Sequence, residues 1–480
     1  MIDVIEKIEL YSPWILYGYQ EIYRYIKNTF ARKDEIYLKN RLLKDNKIII
    51  LTGPRRIGKT TLIYRIIYKL LELGIDEKRI LYISLDDSDI DIKKLLDYYF
   101  KEILKESPSR LIDNVYVFID EIQYSPESFR IIKEYKDISD KIKFFLSGSS
   151  SIRLTENVNK YLVGRVYEYR LYPIRFSEYV YRNIQKTVKE KYLVKDAYLF
   201  FMKVRGELQK YQKEFRERLL DNSLKFDFIK EVYDKSLKYK QFIDKALDNL
   251  MLYGSFPDYV YKNNYDPQLY KALLSEVFEK DLKLDIEYRK FLDILRLLSY
   301  QEFQRKNINT ISNSSSLNYR TVEKILDGLE RSFLINIIYA ETSIYKRKSI
   351  FKVYFVDRGL RNSLLSDFSI NIERLIKKDN NFYSSNSEAL VLNSLYRILY
   401  KLGIEEPDIR FYLDENMEEI DFYYKQLNLW VEVKYQENMG ENDINKISKL
   451  DGIKIIISKD ELKEESGVYI IPLWLFLLLA

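Results

Sequence analysis

The sequence has no cysteine and no histidine in 480 residues. The first absence removes disulfide frameworks, iron–sulfur clusters and thiol nucleophiles. The second removes Ser-His-Asp and Cys-His catalysis and every imidazole metal site. Chemistry must then run on carboxylates, lysine, arginine, hydroxyls and hard, oxygen-loving cations such as magnesium. Glycine is sparse at 14 residues, while Tyr, Ile, Lys and Glu are abundant, a composition in the direction of a thermophile. Long apolar runs are missing too. The strongest, Tyr469 to Ala480, is shorter than the roughly 20 residues of a bilayer span. Pro472 interrupts it, and we expect it to be a buried terminal segment, with no membrane partner. The first residues lack the basic-then-apolar form of a signal peptide, so the expected location is cytoplasmic.

What is present fits a folded chain. Hydrophobic residues make up 46% and charged residues 32%, enough for buried cores under a solvated surface. The length suggests about three domains. The net charge of +6 permits a basic groove for nucleic acid without demanding one.

Apolar β-branched runs at 47–51, 79–85, 114–119 and 142–146 alternate with helical patterns at 60–73, 92–106 and 128–135. That alternation predicts an α/β domain with a largely parallel sheet. From 178 to 252 the period turns helical and charged, as in a lid with an insertion. Helices at 288–300, 311–316 and 319–333 followed by a strand at 334–339 suggest a winged helix-turn-helix. There Asn318, Tyr319, Arg320 and Lys324 would begin the recognition helix, or the module would serve only for packing. A last α/β unit runs from about 380 to the end.

Gly53, Pro54, Arg55, Arg56, Ile57, Gly58, Lys59 and Thr60 spell G-x-x-x-x-G-K-[ST], and Thr61 follows. Such a loop turns its backbone N–H groups toward phosphates at a helix N-terminus. Lys59 would meet the β- and γ-phosphates and Thr60 would ligate magnesium, so the expected cofactors are ATP and Mg2+. The strand ending in Asp120-Glu121 supplies the partner motif. Asp120 would hold the metal and Glu121 would activate the attacking water. Two carboxylates after a buried strand are costly unless they face a cleft and a cation. Ser147, closing another strand, would sense the γ-phosphate or simply form a turn. Arg165 would stabilise transition-state charge, in cis or in trans.

A second constellation lies near the C-terminus. Residues 419–424 and 429–435 read as two strands. A hairpin centred between Gln426 and Leu427 pairs Asp421 with Glu432 at ~5 Å, where like charges repel. A magnesium ion would turn that repulsion into ligation. Lys434 falls on the same face as Glu432 and would act on a water. The pattern resembles the D…E-x-K metal site of restriction-endonuclease-like nucleases, and that resemblance implies that Glu388, on the preceding helix, is an auxiliary acid. The alternative is an amphipathic strand with Val431, Val433 and Tyr435 inward.

Taken together, the chain resembles prokaryotic, largely archaeal AAA+ P-loop ATPases with a winged helix and a C-terminal restriction-endonuclease-like domain. The resemblance rests on GPRRIGKTTL (53–62), LDD (85–87), IDEIQ (119–123), LSGSSS (146–151), VGR (163–165) and LYPIRFSEYV (171–180). YGSFPDYV (253–260) and KVYFVDRGLRN (352–362) extend it. The helical stretch around 187–245 departs from the family pattern. The resemblance implies an ATPase core at 1–175, a helical lid and charged insertion at 176–275, a winged helix at 276–365 and a nuclease-like domain at 380–480. It implies ATP binding and hydrolysis, and homo-oligomeric ring or dimer assembly with an arginine, here Arg165, supplied across an interface, but no substrate. Action on nucleic acid, DNA in particular, is expected from the joint presence of the two carboxylate constellations. The competing expectation is a regulatory or scaffolding ATPase whose tail binds without cutting.

Overall fold

The computed structural model describes all residues except 1, 87–89, 150–157, 159, 192–193, 263–264, 343–349, 370–381, 405 and 437–439. Asp87, Ser150, Ser151 and Asn380, which entered the sequence expectations, lie outside the described residues. The chain divides into two compact units, Met1–Tyr172 with Arg331–Phe333, and Pro173–Glu330 with Leu334–Ala480. The helical lid, the three-helix segment and the C-terminal α/β segment share one unit.

The first unit is built on β1 (Ile48–Thr52), β2 (Ile80–Ser84), β3 (Val115–Asp120), β4 (Ile142–Gly148) and β5 (Val166–Arg170). They form one parallel sheet in the order β2-β3-β4-β1-β5. β1, β3 and β4 are buried throughout, which is why they read as continuous apolar runs rather than alternating ones. β5 was not anticipated. Its sequence, VYEYR, is mostly half-buried at the sheet edge and carries too little apolar character to declare itself. The helix Lys59–Glu72 buries Leu62, Ile63, Ile66, Ile67 and Leu70 along one stripe, the spacing of an amphipathic helix.

The second unit opens with helices Phe176–Lys191, Val194–Leu220, Phe226–Ser236 and Lys240–Tyr253. Helices Tyr288–Tyr300, Ile308–Ser315 and Tyr319–Arg331 come later. Then follow β6 (Ile335–Glu341), β7 (Phe351–Phe355), β8 (Arg410–Leu413), β9 (Glu419–Tyr424), β10 (Leu429–Lys434), β11 (Ile453–Ser458), β12 (Lys463–Glu465) and β13 (Val468–Pro472). All eight belong to one sheet, ordered β12-β13-β11-β10-β9-β8-β6-β7. The strands after the three helices are thus the edge of the C-terminal sheet, because β6 pairs with β8. The apolar tail forms β13 and the buried helix Leu473–Leu479. No helix among the described residues is long and apolar enough to cross a membrane.

A buried polar knot ties this unit together. Glu302 receives a two-pronged contact from Arg358 at 2.7 and 2.8 Å and pairs with Arg361 at 2.9 Å. Next to it, Asp357 caps the helix Arg358–Leu365 through Leu360 N–H at 3.1 Å. The same carboxylate accepts Ser255 N–H at 2.6 Å and the Tyr270 hydroxyl at 2.8 Å.

Candidate functional site

The phosphate loop leaves the C-terminal end of β1. Gly53 has φ 148° and Gly58 φ 90°, a backbone that glycine adopts without strain. A Cβ on Gly53 would also lie 2.6 Å from the Leu171 carbonyl oxygen. Pro54, Arg55 and Ile57 are buried, Arg56 is exposed, and Thr61 is half-buried in the first helical turn. Lys59 folds back over the loop and donates to the Gly53 and Pro54 carbonyls, both at 3.0 Å. Arg55 donates to the Tyr124 hydroxyl at 2.9 Å. The sequence reading missed Arg32, which straps the loop by donating to Ile57 O at 3.1 Å and Tyr172 O at 2.5 Å.

Sheet order brings the partner motif to this loop. β4 lies between β3 and β1, so Asp120 ends beside Ser147. The Ser147 hydroxyl donates to Asp120 Oδ1. Thr60 and Tyr82 donate to Oδ2 at 2.5 and 3.2 Å. A carboxylate meeting the Thr60 hydroxyl at the mouth of a phosphate loop is a donor set that fits magnesium, with nucleotide phosphate and water completing the shell. Tyr82 gave no sequence signal, since it sits inside an ordinary strand.

Glu121 is held in the left-handed region at φ 55°, ψ 41°. Its carboxylate accepts from the Gln123 amide and, at 3.4 Å, from Ser149. Gln123 also donates to Ser149 at 3.0 Å. Burial pushes the Glu121 carboxyl above the usual carboxylate range, the Lys59 charge opposes this, and Asp120 adds to it. A raised carboxyl suits a general base working near neutral pH. Gln123 and Ser149 were legible only as members of the IDEIQ and LSGSSS stretches.

Arg165 stands elsewhere. Its carbonyl accepts Ile48 N–H at 2.8 Å, at the start of β1, whereas the phosphate loop leaves the other end of that strand. Five residues of strand separate the two by about 16 Å. The Arg165 guanidinium is exposed and pairs with Asp137 at 3.0 Å.

In the second unit, Tyr424 pairs with Leu429, Tyr423 with Trp430 and Phe422 with Val431. Asp421 and Glu432 are therefore next in line, the register expected from the sequence. The turn is wider than two residues, with a 3-10 turn at Lys425–Leu427 and Asn428 at φ 43°. Asp421 N–H donates to Glu432 Oε2 at 3.2 Å, and Val433 N–H donates to Asp421 Oδ2 at 2.8 Å. Lys434 shares the face of Glu432, with its Nζ 3.1 Å from Oε1. Glu388, on the helix Phe382–Lys401, accepts from the Tyr354 hydroxyl at 2.9 Å. Burial raises the Glu388 carboxyl well above its ordinary range, with Asp421 adding to the effect. Burial, then Glu432, pushes Asp421 up to about 7. Two partners were unforeseen, Lys352 from β7 and Lys446 from the helix Glu441–Ser448. Among the described residues, no group of three or more acidic side chains is arranged to hold a metal ion.

On the helix Tyr319–Arg331, Arg320, Lys324 and Arg331 share the exposed face with Glu323 and Asp327. Tyr319 is exposed, and Asn318 caps the helix through Thr321 N–H at 2.9 Å.

Residues 45–180 match a family model described as an AAA domain, and residues 244–371 match a Domain of unknown function (DUF8612). The chain is 26% identical to the uncharacterized protein MJ1637 of Methanocaldococcus jannaschii, covering 98% of this chain and 92% of that relative. It is 24% identical to an uncharacterized protein of Haemophilus influenzae, over 88% of this chain and 92% of that one. Among solved structures, the Walker-type ATPase PABY2304 of Pyrococcus abyssi aligns with 71% of this chain and 97% of its own, at 15% identity and a TM-score of 0.37. A score that low says nothing about function. The loop and the Asp120–Glu121 pair thus lie within the stretch, residues 45–180, that is similar to an AAA domain.

Proposed function

We propose that this protein is an ATP-hydrolysing molecular switch that works as a homo-oligomer, and whose C-terminal segment binds a partner or DNA without cleaving it. The convergence of Thr60, Ser147 and Tyr82 on Asp120 beside the phosphate loop carries the ATPase reading. Lys59 would neutralise the β- and γ-phosphates, and Thr60 and Asp120 would hold magnesium. That ion, when bound, offsets charge developing on the transferred phosphoryl group. Glu121, aligned by Gln123 and Ser149, would take a proton from the attacking water.

The test is phosphate release together with nucleotide binding. Lys59→Ala should lose both. Glu121→Gln should keep binding and lose turnover by ~10²-fold or more. Full turnover in either variant sinks the assignment.

The non-cleaving reading of the tail rests on its ion pairs, since its carboxylates already face protein cations. The mixed charge of the helix Tyr319–Arg331 fits a packing or protein-binding role better than a phosphate-tracking one. A second reading, a magnesium-dependent nuclease, is favoured by one observation, the register that puts Asp421 beside Glu432 with Lys434 on the same face. A magnesium- or manganese-dependent cleavage assay on DNA and RNA decides between them. Cleavage that disappears in Asp421→Ala and Lys434→Ala would establish the nuclease.

A further inference from the structure

Lys352 stands in the middle of the C-terminal carboxylates, on a strand outside the hairpin that carries three of them. Its side chain is only 3% exposed. Its Nζ pairs with Glu419 and lies 3.6 Å from Asp421 Oδ1 and 3.9 Å from Glu388 Oε2. A magnesium ion would need carboxylate oxygens free to approach to about 2.0–2.1 Å. Here they are engaged. Asp421 Oδ1 faces Lys352, and Oδ2 accepts Val433 N–H at 2.8 Å. Glu432 Oε1 meets Lys434 and Lys446, both at 3.1 Å, and Oε2 accepts Asp421 N–H. Arg305 takes Glu419 Oε2 at 2.6 Å. Four carboxylates face four protein cations, which offset part of the cost of burying the acids, while burial still raises the Glu388 and Asp421 carboxyls. These residues do not fit a resident magnesium ion.

We infer that Lys352 is a built-in counter-ion, occupying the cation position of this cluster and closing it to divalent metal. The inference deepens, and rests on, the non-cleaving reading of the tail. It also makes a sharp claim about the ammonium itself. Without Lys352, Glu388, Glu419 and Asp421 would converge with no central cation, and a divalent ion would take its place.

The test uses the full chain, free of nucleotide and carrying Asp120→Asn to remove metal binding at the phosphate loop. Bound Mn2+ is counted by electron paramagnetic resonance. With Lys352 intact, adding Asp421→Asn should leave Mn2+ binding unchanged. Lys352→Met should gain one Mn2+ site at least tenfold tighter than any in the Lys352 chain, and Asp421→Asn should abolish it. Mn2+ binding in the Lys352 chain that Asp421→Asn removes would overturn the inference. So would a folded Lys352→Met chain that gains no site. Should Lys352→Met fold poorly, the intact-chain comparison decides alone. Where Lys352→Met folds, thermal melting adds a second reading, with Mn2+ expected to raise the Tm of Lys352→Met and not that of the Lys352 chain. Nucleic-acid cleavage lost in Lys434→Ala would sink the non-cleaving reading, whereas Mn2+ binding without cleavage would sink only the role of Lys352.

Discussion

Glu121 holds a left-handed backbone that non-glycine residues seldom adopt, and strain of this kind persists where surrounding structure over-determines it. Gly53 shows the opposite economy, taking a conformation that a side chain would resist and approaching the Leu171 carbonyl closely. Gly53→Ala should cost about 1–3 kcal/mol and weaken ATP binding, measured by denaturant unfolding and nucleotide titration. Lys306 offers a pH-dependent test. Burial pushes its amine down to about 8, the Lys352 charge adds to this, and Glu302 opposes it. The ordinary lysine value is ~10.4. Between those values the unfolded chain binds more protons than the folded one, so this residue's contribution makes stability rise with pH across that window. Unfolding free energy followed across the window should show the slope in wild type. Lys306→Met should flatten it by at most about 1.4 kcal/mol per pH unit.

At the scale of elements, the helix Arg358–Leu365 is buried along its whole length and is tethered by charge rather than by apolar contact alone. Glu302 holds both Arg358 and Arg361. Glu302→Gln would leave two buried guanidinium groups facing a neutral partner, and should destabilise the protein by ~3–5 kcal/mol in chemical denaturation. The hairpin of β9 and β10 tests local geometry. Asn428 sits in the left-handed region, so Asn428→Val should cost about 1–2 kcal/mol while Asn428→Gly is tolerated.

At the scale of the whole molecule, the placement of Arg165 bears on assembly. The parallel sheet puts it at the end of β1 opposite the phosphate loop, which favours the proposal that it acts on a neighbouring copy. Arg165→Ala and Glu121→Gln subunits should each be inactive alone. Mixed, they should recover a measurable fraction of ATP turnover, because an intact Glu121 then meets an intact Arg165 across an interface. No recovery at any mixing ratio would reduce Arg165 to its pairing with Asp137.

The sequence by itself determined the phosphate loop, the Asp120–Glu121 pair and the 421–432 register. Each is a local matter. Eight contiguous residues make the loop, an apolar run delivers the acids to its end, and a period of two fixes which residues face each other across a hairpin. The tertiary structure decided what those groups meet. Tyr82 and Ser147 reach Asp120 only because β2, β3 and β4 lie side by side. β5 has too little apolar character to be seen before β1 pairs with it. Lys352 enters the acid cluster from β7, more than sixty residues before Asp421, and no spacing rule links them. Strand order and long-range pairing gather groups that are distant in the chain. That gathering sets Lys352 among the carboxylates that read in sequence as a metal site.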